Sequence, residues 1–83
     1  TLGSEDFISN SVTVYTNDYI NVNAANQTIK SVKVFDLLGK VIGNFNNVNT
    51  TTFTSKNITK TQTALLVEVT LENGNTKTYK VIY

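Results

Sequence analysis

The chain has 83 residues, with seven lysines, six acidic residues and a net charge of +1. This length predicts a single domain, and so small a net charge does not point to a nucleic acid or an anionic membrane as partner. No apolar run approaches the length of a membrane span and no basic leader precedes one, so we expect no transmembrane segment and no signal peptide in this sequence.

Threonine and asparagine dominate the composition, with fourteen and twelve copies. Threonine and the β-branched apolar residues favour strands, whereas asparagine favours turns. Histidine, cysteine, methionine, tryptophan, proline and arginine do not occur in the sequence. The composition therefore predicts a β domain with polar faces.

Alternation of apolar and polar residues recurs between breaks that contain asparagine or glycine. Residues 1–10 are predicted to be a linker or to hold a short first strand that begins at Phe7-Ile8. Residues 55–63 are predicted to be a loop, because they are polar apart from Ile58. The remaining predicted strands are residues 12–15, 19–24, 29–38, 41–45, 51–54, 64–71 and 76–83. Residues 11–83 are thus predicted to form a small immunoglobulin-like antiparallel β-sandwich of about seven short strands.

The last two strands are predicted to form a hairpin with an odd-length loop that runs out to a C-terminal carboxylate. A two-residue loop would mix apolar with polar partners, whereas an odd loop gathers the apolar residues on one face. Gly74 is predicted to take a left-handed bulge position, and Gly39 and Asn73 are predicted to be turn formers. Glu68 and Lys80 then lie on the other face, opposite or diagonal to each other.

Catalytic chemistry has little basis in the sequence. Without histidine or cysteine the common nucleophilic triads cannot form, and the carboxylates show no glycosidase-like pairing. Glu5-Asp6 with Asp18 is a possible calcium site, but the spaced run of oxygen ligands typical of a calcium loop does not occur. We therefore expect no catalytic residue, no metal, no cofactor and no enzymatic activity.

The aromatic residues leave a second hypothesis open. We expect the phenylalanines in the core and the tyrosines half-buried, whereas a carbohydrate-binding face needs several exposed coplanar rings. The alternative function is an immunoglobulin-like adhesive or carbohydrate-binding module of a surface protein.

Residues 32–42, VKVFDLLGKVI, resemble a segment of the C-terminal sorting domains of the type IX secretion system. In that family a strand leads into a Leu-x-Gly-Lys turn and a return strand. Asn57-Ile58, the LLVEV run, the Glu72-Asn73-Gly74 turn and the terminal KVIY follow the same order, so the resemblance covers roughly residues 11–83. The Pro-Asn-Pro element of the common form is replaced by residues 15–18, and its Gly-x-Tyr step by residues 62–65. These departures resemble the variant sometimes called type C.

The resemblance implies a cargo tag. A parent protein would carry this domain after its N-terminal cargo domain, reach the periplasm of a Gram-negative bacterium and be exported through the type IX translocon. A sortase-like peptidase would then remove the domain by a cut in or before residues 1–6, with release or lipopolysaccharide anchoring of the cargo at the cell surface.

An edge strand suits such recognition, because its backbone groups can accept a strand from a receptor. The predicted contacts with the translocon are Lys77, Lys80, Val81, Ile82 and Tyr83. Lys77 and Lys80 have a second interpretation, as charges that guard an edge against aggregation. We expect a monomer.

Overall fold

A computed structural model describes residues 12–56 and 58–83. These residues form seven strands, and the strands make two antiparallel sheets. The bounds are β1 Thr13–Thr16, β2 Ile20–Asn23, β3 Ile29–Phe35, β4 Val41–Thr50, β5 Thr52–Thr54, β6 Ala64–Leu71 and β7 Thr76–Ile82. The first sheet has the order β1-β2-β5 and the second the order β4-β3-β6-β7.

This strand order is that of an immunoglobulin-like sandwich. In the usual letters, β1, β2 and β5 correspond to A, B and E, and β4, β3, β6 and β7 correspond to C′, C, F and G. The predicted all-β fold is therefore confirmed. The predicted strand starting at Phe7-Ile8 and the predicted cut in residues 1–6 lie outside the described residues.

The core lies between the sheets and comes from alternate residues of β2, β3 and β6. Successive side chains of a strand point to opposite faces, so this alternation fills one side of each sheet. Its buried apolar residues are Ile20, Val22, Ala24, Ile29, Val32, Val34, Ile58, Leu65, Val67, Val69, Leu71 and Tyr83. The loop before β6 also contributes, because Ile58 packs over Gly43, where its Cδ1 atom would lie 2.8 Å from an added Cβ atom.

Two hairpins share one loop geometry. In the β6–β7 hairpin, Leu71 N–H donates to Asn75 O at 2.8 Å and Gly74 N–H donates to Leu71 O at 2.9 Å. In the β3–β4 hairpin, Asp36 N–H donates to Lys40 O at 2.9 Å and Gly39 N–H donates to Asp36 O at 3.0 Å.

The glycine of each loop takes the left-handed conformation, with φ of +89° at Gly39 and +94° at Gly74. Each loop is thus the three-residue type in which a left-handed residue forms the bulge. The register Val67 opposite Tyr79 confirms the predicted odd loop and the predicted bulge at Gly74.

Two strand predictions were wrong in their bounds. The third strand ends at Phe35 rather than at residue 38, because Asp36 begins the turn. The fourth strand runs to Thr50, five residues beyond the predicted end. Asn47 and Asn49 both have φ of +58°, and these two left-handed residues break the alternation of the strand while its pairing with β3 resumes at Thr50.

None of the described residues belongs to a helix long and apolar enough to cross a membrane.

Candidate functional site

The candidate site is the outer edge of β7, where one sheet ends. β7 pairs with β6 without a register shift from Thr76 to Ile82. No described strand pairs with its other side. In an antiparallel pair, a residue directs both its N–H and its C=O either toward the neighbouring strand or away from it, in alternation. The phase of this alternation decides which backbone groups of β7 are open.

Bonds at the two ends of the hairpin fix that phase. Leu71 N–H donates to Asn75 O at one end, and Tyr83 N–H donates to Thr63 O at 3.0 Å at the other. The odd-numbered residues of β7 therefore face β6, whereas the even-numbered residues direct their backbone groups outward. One of these outward groups is already occupied, because Ile82 O accepts a hydrogen bond of 3.0 Å from Thr16 Oγ1 of β1. The backbone groups of β7 that no described residue covers belong to Thr76, Thr78 and Lys80.

The opposite edge of the same sheet is irregular. The pairing of β3 with β4 shifts between Ile29 and Ser31, where β4 accommodates two extra residues. Asn47 and Asn49 are left-handed within that stretch. A bulged and twisted edge is a poor template for an added strand. Of the two edges of this sheet, β7 is the one with a continuous row of open groups.

The predicted contact residues divide between two faces of the sheet. Lys80 and Ile82 lie on the outer face, where they pair with Leu66 and Ala64. Lys77 points to the same side of the sheet as the core-facing residues of β7. It is nevertheless exposed, because it lies near the start of the strand, beside the β6–β7 loop. Ile82 is 63% exposed. The exposed residues of the predicted set are therefore Lys77, Lys80 and Ile82, and the two lysines point to opposite sides.

Val81 and Tyr83 are placed differently. Val81 is partly buried against the core and Tyr83 belongs to the core. The hydroxyl of Tyr83 donates to Asp18 O at 2.8 Å, and its carbonyl oxygen accepts from the N–H groups of Thr61 and Gln62 at 2.7 and 2.6 Å. The side chain of Tyr83 holds β7 to the sandwich and offers no free surface to a partner.

Glu68 and Lys80 are diagonal neighbours, because Glu68 lies opposite Thr78. The one salt bridge within the described residues joins Lys60 Nζ to Asp18 Oδ1 at 3.9 Å. Both side chains are substantially exposed, so this pair contributes little to stability.

The phenylalanine prediction is wrong for Phe35. Phe45 and Phe53 pack against the core, with their ring centroids 4.9 Å apart. Phe35 lies on the outer face, beside Leu66. The alternation of β3 indicates the outer position of Phe35, because Val34 is a core residue and the next side chain of a strand points to the opposite face.

No group of three or more acidic, histidine or cysteine side chains that could hold a metal ion occurs within residues 12–56 and 58–83. Glu5 and Asp6 of the possible calcium site lie outside those residues, as does Asn57.

The model of a family described as Domain of unknown function (DUF8694) matches residues 2–83. The chain belongs to this family. No curated protein matches it.

Tyr79 offers a prediction about stability. It lies opposite Val67 on the core side of β7, and its hydroxyl is buried with no hydrogen-bond partner among the described residues. A buried unpaired hydroxyl costs about 1–3 kcal/mol. We expect Tyr79→Phe to leave the free energy of unfolding at pH 7 unchanged or to raise it by about 1 kcal/mol, as measured by urea denaturation.

The same hydroxyl makes stability depend on alkaline pH. Desolvation by burial raises the pKa of Tyr79 above its usual value of 10.0. The folded state therefore holds this proton more tightly than the unfolded chain does, and the resulting stability is full below pH 10 and is lost as pH rises through the folded pKa. Tyr79→Phe should lose less stability than the wild type above about pH 10. Equal losses in the two proteins would contradict the burial of this hydroxyl.

Proposed function

We propose that the chain is a sorting domain of the type IX secretion system, recognised along the open edge of β7. In this proposal the translocon adds a strand to β7, and a cargo domain N-terminal to residues 1–83 is carried across the outer membrane. A sortase-like peptidase then acts on the N-terminal side of the sandwich, and the cargo reaches the cell surface or the medium. The observation that carries the proposal is the regular row of outward backbone groups at Thr76, Thr78 and Lys80.

The segments that resemble sorting domains support this proposal through their place in the fold. Residues 32–42 span the end of β3, the first hairpin loop and the start of β4. The turn at residues 72–74 is the second hairpin loop. Gly39 and Gly74 supply the two left-handed positions, so the residues shared with the family are those that build the β3–β4 and β6–β7 hairpins.

The charges of β7 indicate what kind of strand would bind. The strand holds Lys77 and Lys80 and no acidic residue. Opposite charges across a strand pair stabilise it and like charges destabilise it. A strand with acidic side chains opposite the two lysines would therefore fit better than a second copy of β7. This fit is consistent with the expected monomer.

The test is a fusion of residues 1–83 to the C-terminus of a periplasm-targeted fluorescent protein. The fusion is expressed in a type IX-competent strain and in its translocon-deficient mutant, and fluorescence is divided between cells and medium. Export or surface display in the competent strain alone supports the proposal. Retention of an intact, folded fusion in both strains contradicts it.

Two variants then locate the recognition surface. Thr78→Pro removes one outward N–H group of β7, and Lys77→Glu/Lys80→Glu reverses both charges. The matched control is Lys30→Glu/Lys56→Glu, which changes the same charge at exposed positions outside β7. Loss of export in the first two variants and normal export in the control supports recognition at β7.

The alternative, an adhesive or carbohydrate-binding module, depends on exposed aromatic rings. Among the described residues the exposed aromatic side chains are Tyr15 and Tyr19, at 50% and 41%. A sugar platform typically needs more rings in one plane. Retention of the fusion together with binding to a polysaccharide, lost in Tyr15→Ala/Tyr19→Ala, would favour this alternative.

A further inference from the structure

The exposed large apolar side chains of the described residues gather at one end of the sandwich. This end holds the β1–β2 turn, the β3–β4 loop and the last residue of β7; Phe35, at the end of β3, lies opposite Val41, the first residue of β4. Thr16 at the end of β1 touches Ile82 at the end of β7, which brings the first sheet to the same place. The six side chains are Tyr15, Tyr19, Leu37, Leu38, Val41 and Ile82.

A comparison of the two similar hairpins shows that the fold does not require apolar residues in the β3–β4 loop. Leu37 and Leu38 occupy the loop positions that Glu72 and Asn73 occupy at the opposite end of the sandwich. Leu38 is 94% exposed and Leu37 is 61% exposed. Turn positions favour polar residues, and the backbone geometry is the same in both loops. Glu72 and Asn73 form the same turn with polar side chains. The turn therefore does not require leucine at positions 37 and 38.

Lysines accompany these apolar side chains. Lys40 closes the loop that carries Leu37 and Leu38, and Lys80 lies on the outer face at the level of Leu66 and Phe35. Two acids share this end: Asp36 accepts hydrogen bonds of 2.9 Å at Oδ1 from the N–H groups of Leu38 and Lys40, and Asp18 forms a salt bridge with Lys60. Lys40 and Lys80 are therefore the lysines here without an acidic partner among the described residues. Lys60 is also at this end and lies 5.8 Å from the centroid of the Tyr83 ring.

We infer that this end of the sandwich docks onto an anionic membrane surface. Leucines that project from a loop enter the acyl boundary, tyrosines are favoured at the headgroup level, and lysines are attracted to anionic lipids. A convex loop with two adjacent leucines fits a deformable lipid layer without needing a complementary pocket. The composition does not reveal this end, because the exposed apolar residues, Lys40 and Lys80 are brought together only by the fold.

The test uses the 83-residue chain and vesicles of phosphatidylcholine with or without phosphatidylglycerol, separated by sedimentation. We expect binding to the anionic vesicles. Leu37→Ser/Leu38→Ser should weaken it about tenfold or more. Lys40→Gln/Lys80→Gln should weaken it about fivefold per lysine, whereas the control Lys30→Gln/Lys77→Gln should have little effect. A circular dichroism melt of each variant establishes that it is folded.

A fluorescent residue reports the orientation directly, because the sequence contains no tryptophan. Leu38→Trp and Asn73→Trp place the probe at equivalent positions of the two hairpin loops. The emission of the first should shift to the blue on anionic vesicles, and that of the second should not. Absence of binding to anionic vesicles, equal effects of the two lysine pairs, or equal shifts of the two tryptophans would overturn the inference.

Discussion

Tyr83→Ala is expected to lower the free energy of unfolding by about 3–5 kcal/mol, the range for removing a large aromatic side chain from a core. Tyr83 is 5% exposed and joins the core cluster. Truncation to alanine removes the ring, leaves a cavity between β7 and the β1–β2 turn, and deletes the hydrogen bond from the hydroxyl to Asp18 O. Urea denaturation followed by circular dichroism measures the loss.

Tyr83→Phe separates the contributions of ring and hydroxyl. It keeps the buried ring and removes one hydrogen bond, so the expected loss is about 0.5–1.5 kcal/mol. The same change at Tyr79 should cost nothing, because that hydroxyl has no partner among the described residues. A Tyr83→Ala variant as stable as the wild type would mean that Tyr83 does not hold β7 to the sandwich.

Lys77→Pro is expected to destabilise the domain by about 1–3 kcal/mol, the cost of removing its ladder hydrogen bond to β6 and leaving the partner carbonyl unpaired, whereas Thr78→Pro is expected to be tolerated. The two residues are adjacent and both side chains are exposed, so little packing is lost in either variant. They differ in the direction of the backbone N–H. Lys77 lies opposite Val69 and faces β6, whereas Thr78 faces outward.

Thermal melts of the two proline variants measure this difference, with Lys77→Ala and Thr78→Ala as controls for the side chains. Equal destabilisation by the two prolines would contradict the phase assigned to the β7 edge. It would also remove Thr78→Pro as a means of blocking strand addition in the export test. The pair thus connects a stability measurement to the surface on which the proposed function depends.

The sequence predicted the β6–β7 hairpin well, because two independent constraints agreed. The alternation of Leu65, Val67 and Val69 requires these three side chains to lie on the same face of the sheet. Gly74 supplies the left-handed position that an odd loop needs. The length of β4 could not be predicted in this way. Asn47 and Asn49 interrupt the alternation of apolar and polar residues. Asparagine is typical of turns and therefore predicts the end of a strand, whereas the bulged strand here accommodates it.

Parts of the candidate site could be predicted from the alternation of side chains along a strand. Lys77 and Lys80 are three residues apart, which places them on opposite faces of a strand. The burial of Tyr83 follows similarly from its parity with Tyr79 and Val81. The gathering of Tyr19, Leu38 and Ile82 at one end carries no sequence signal, since it depends on which loops the sandwich topology places together.

The contrast between the two edges of the four-stranded sheet limits how the domain assembles. A sheet with two regular edges can grow in both directions and so form open fibres. Here the left-handed Asn47 and Asn49 end regular pairing on the β4 side, and only the β7 side is uniform. A strand that binds β7 would occupy the one edge from which growth could continue. Binding along this sheet would then saturate at one partner for each chain, and a concentrated solution would yield discrete complexes rather than polymers.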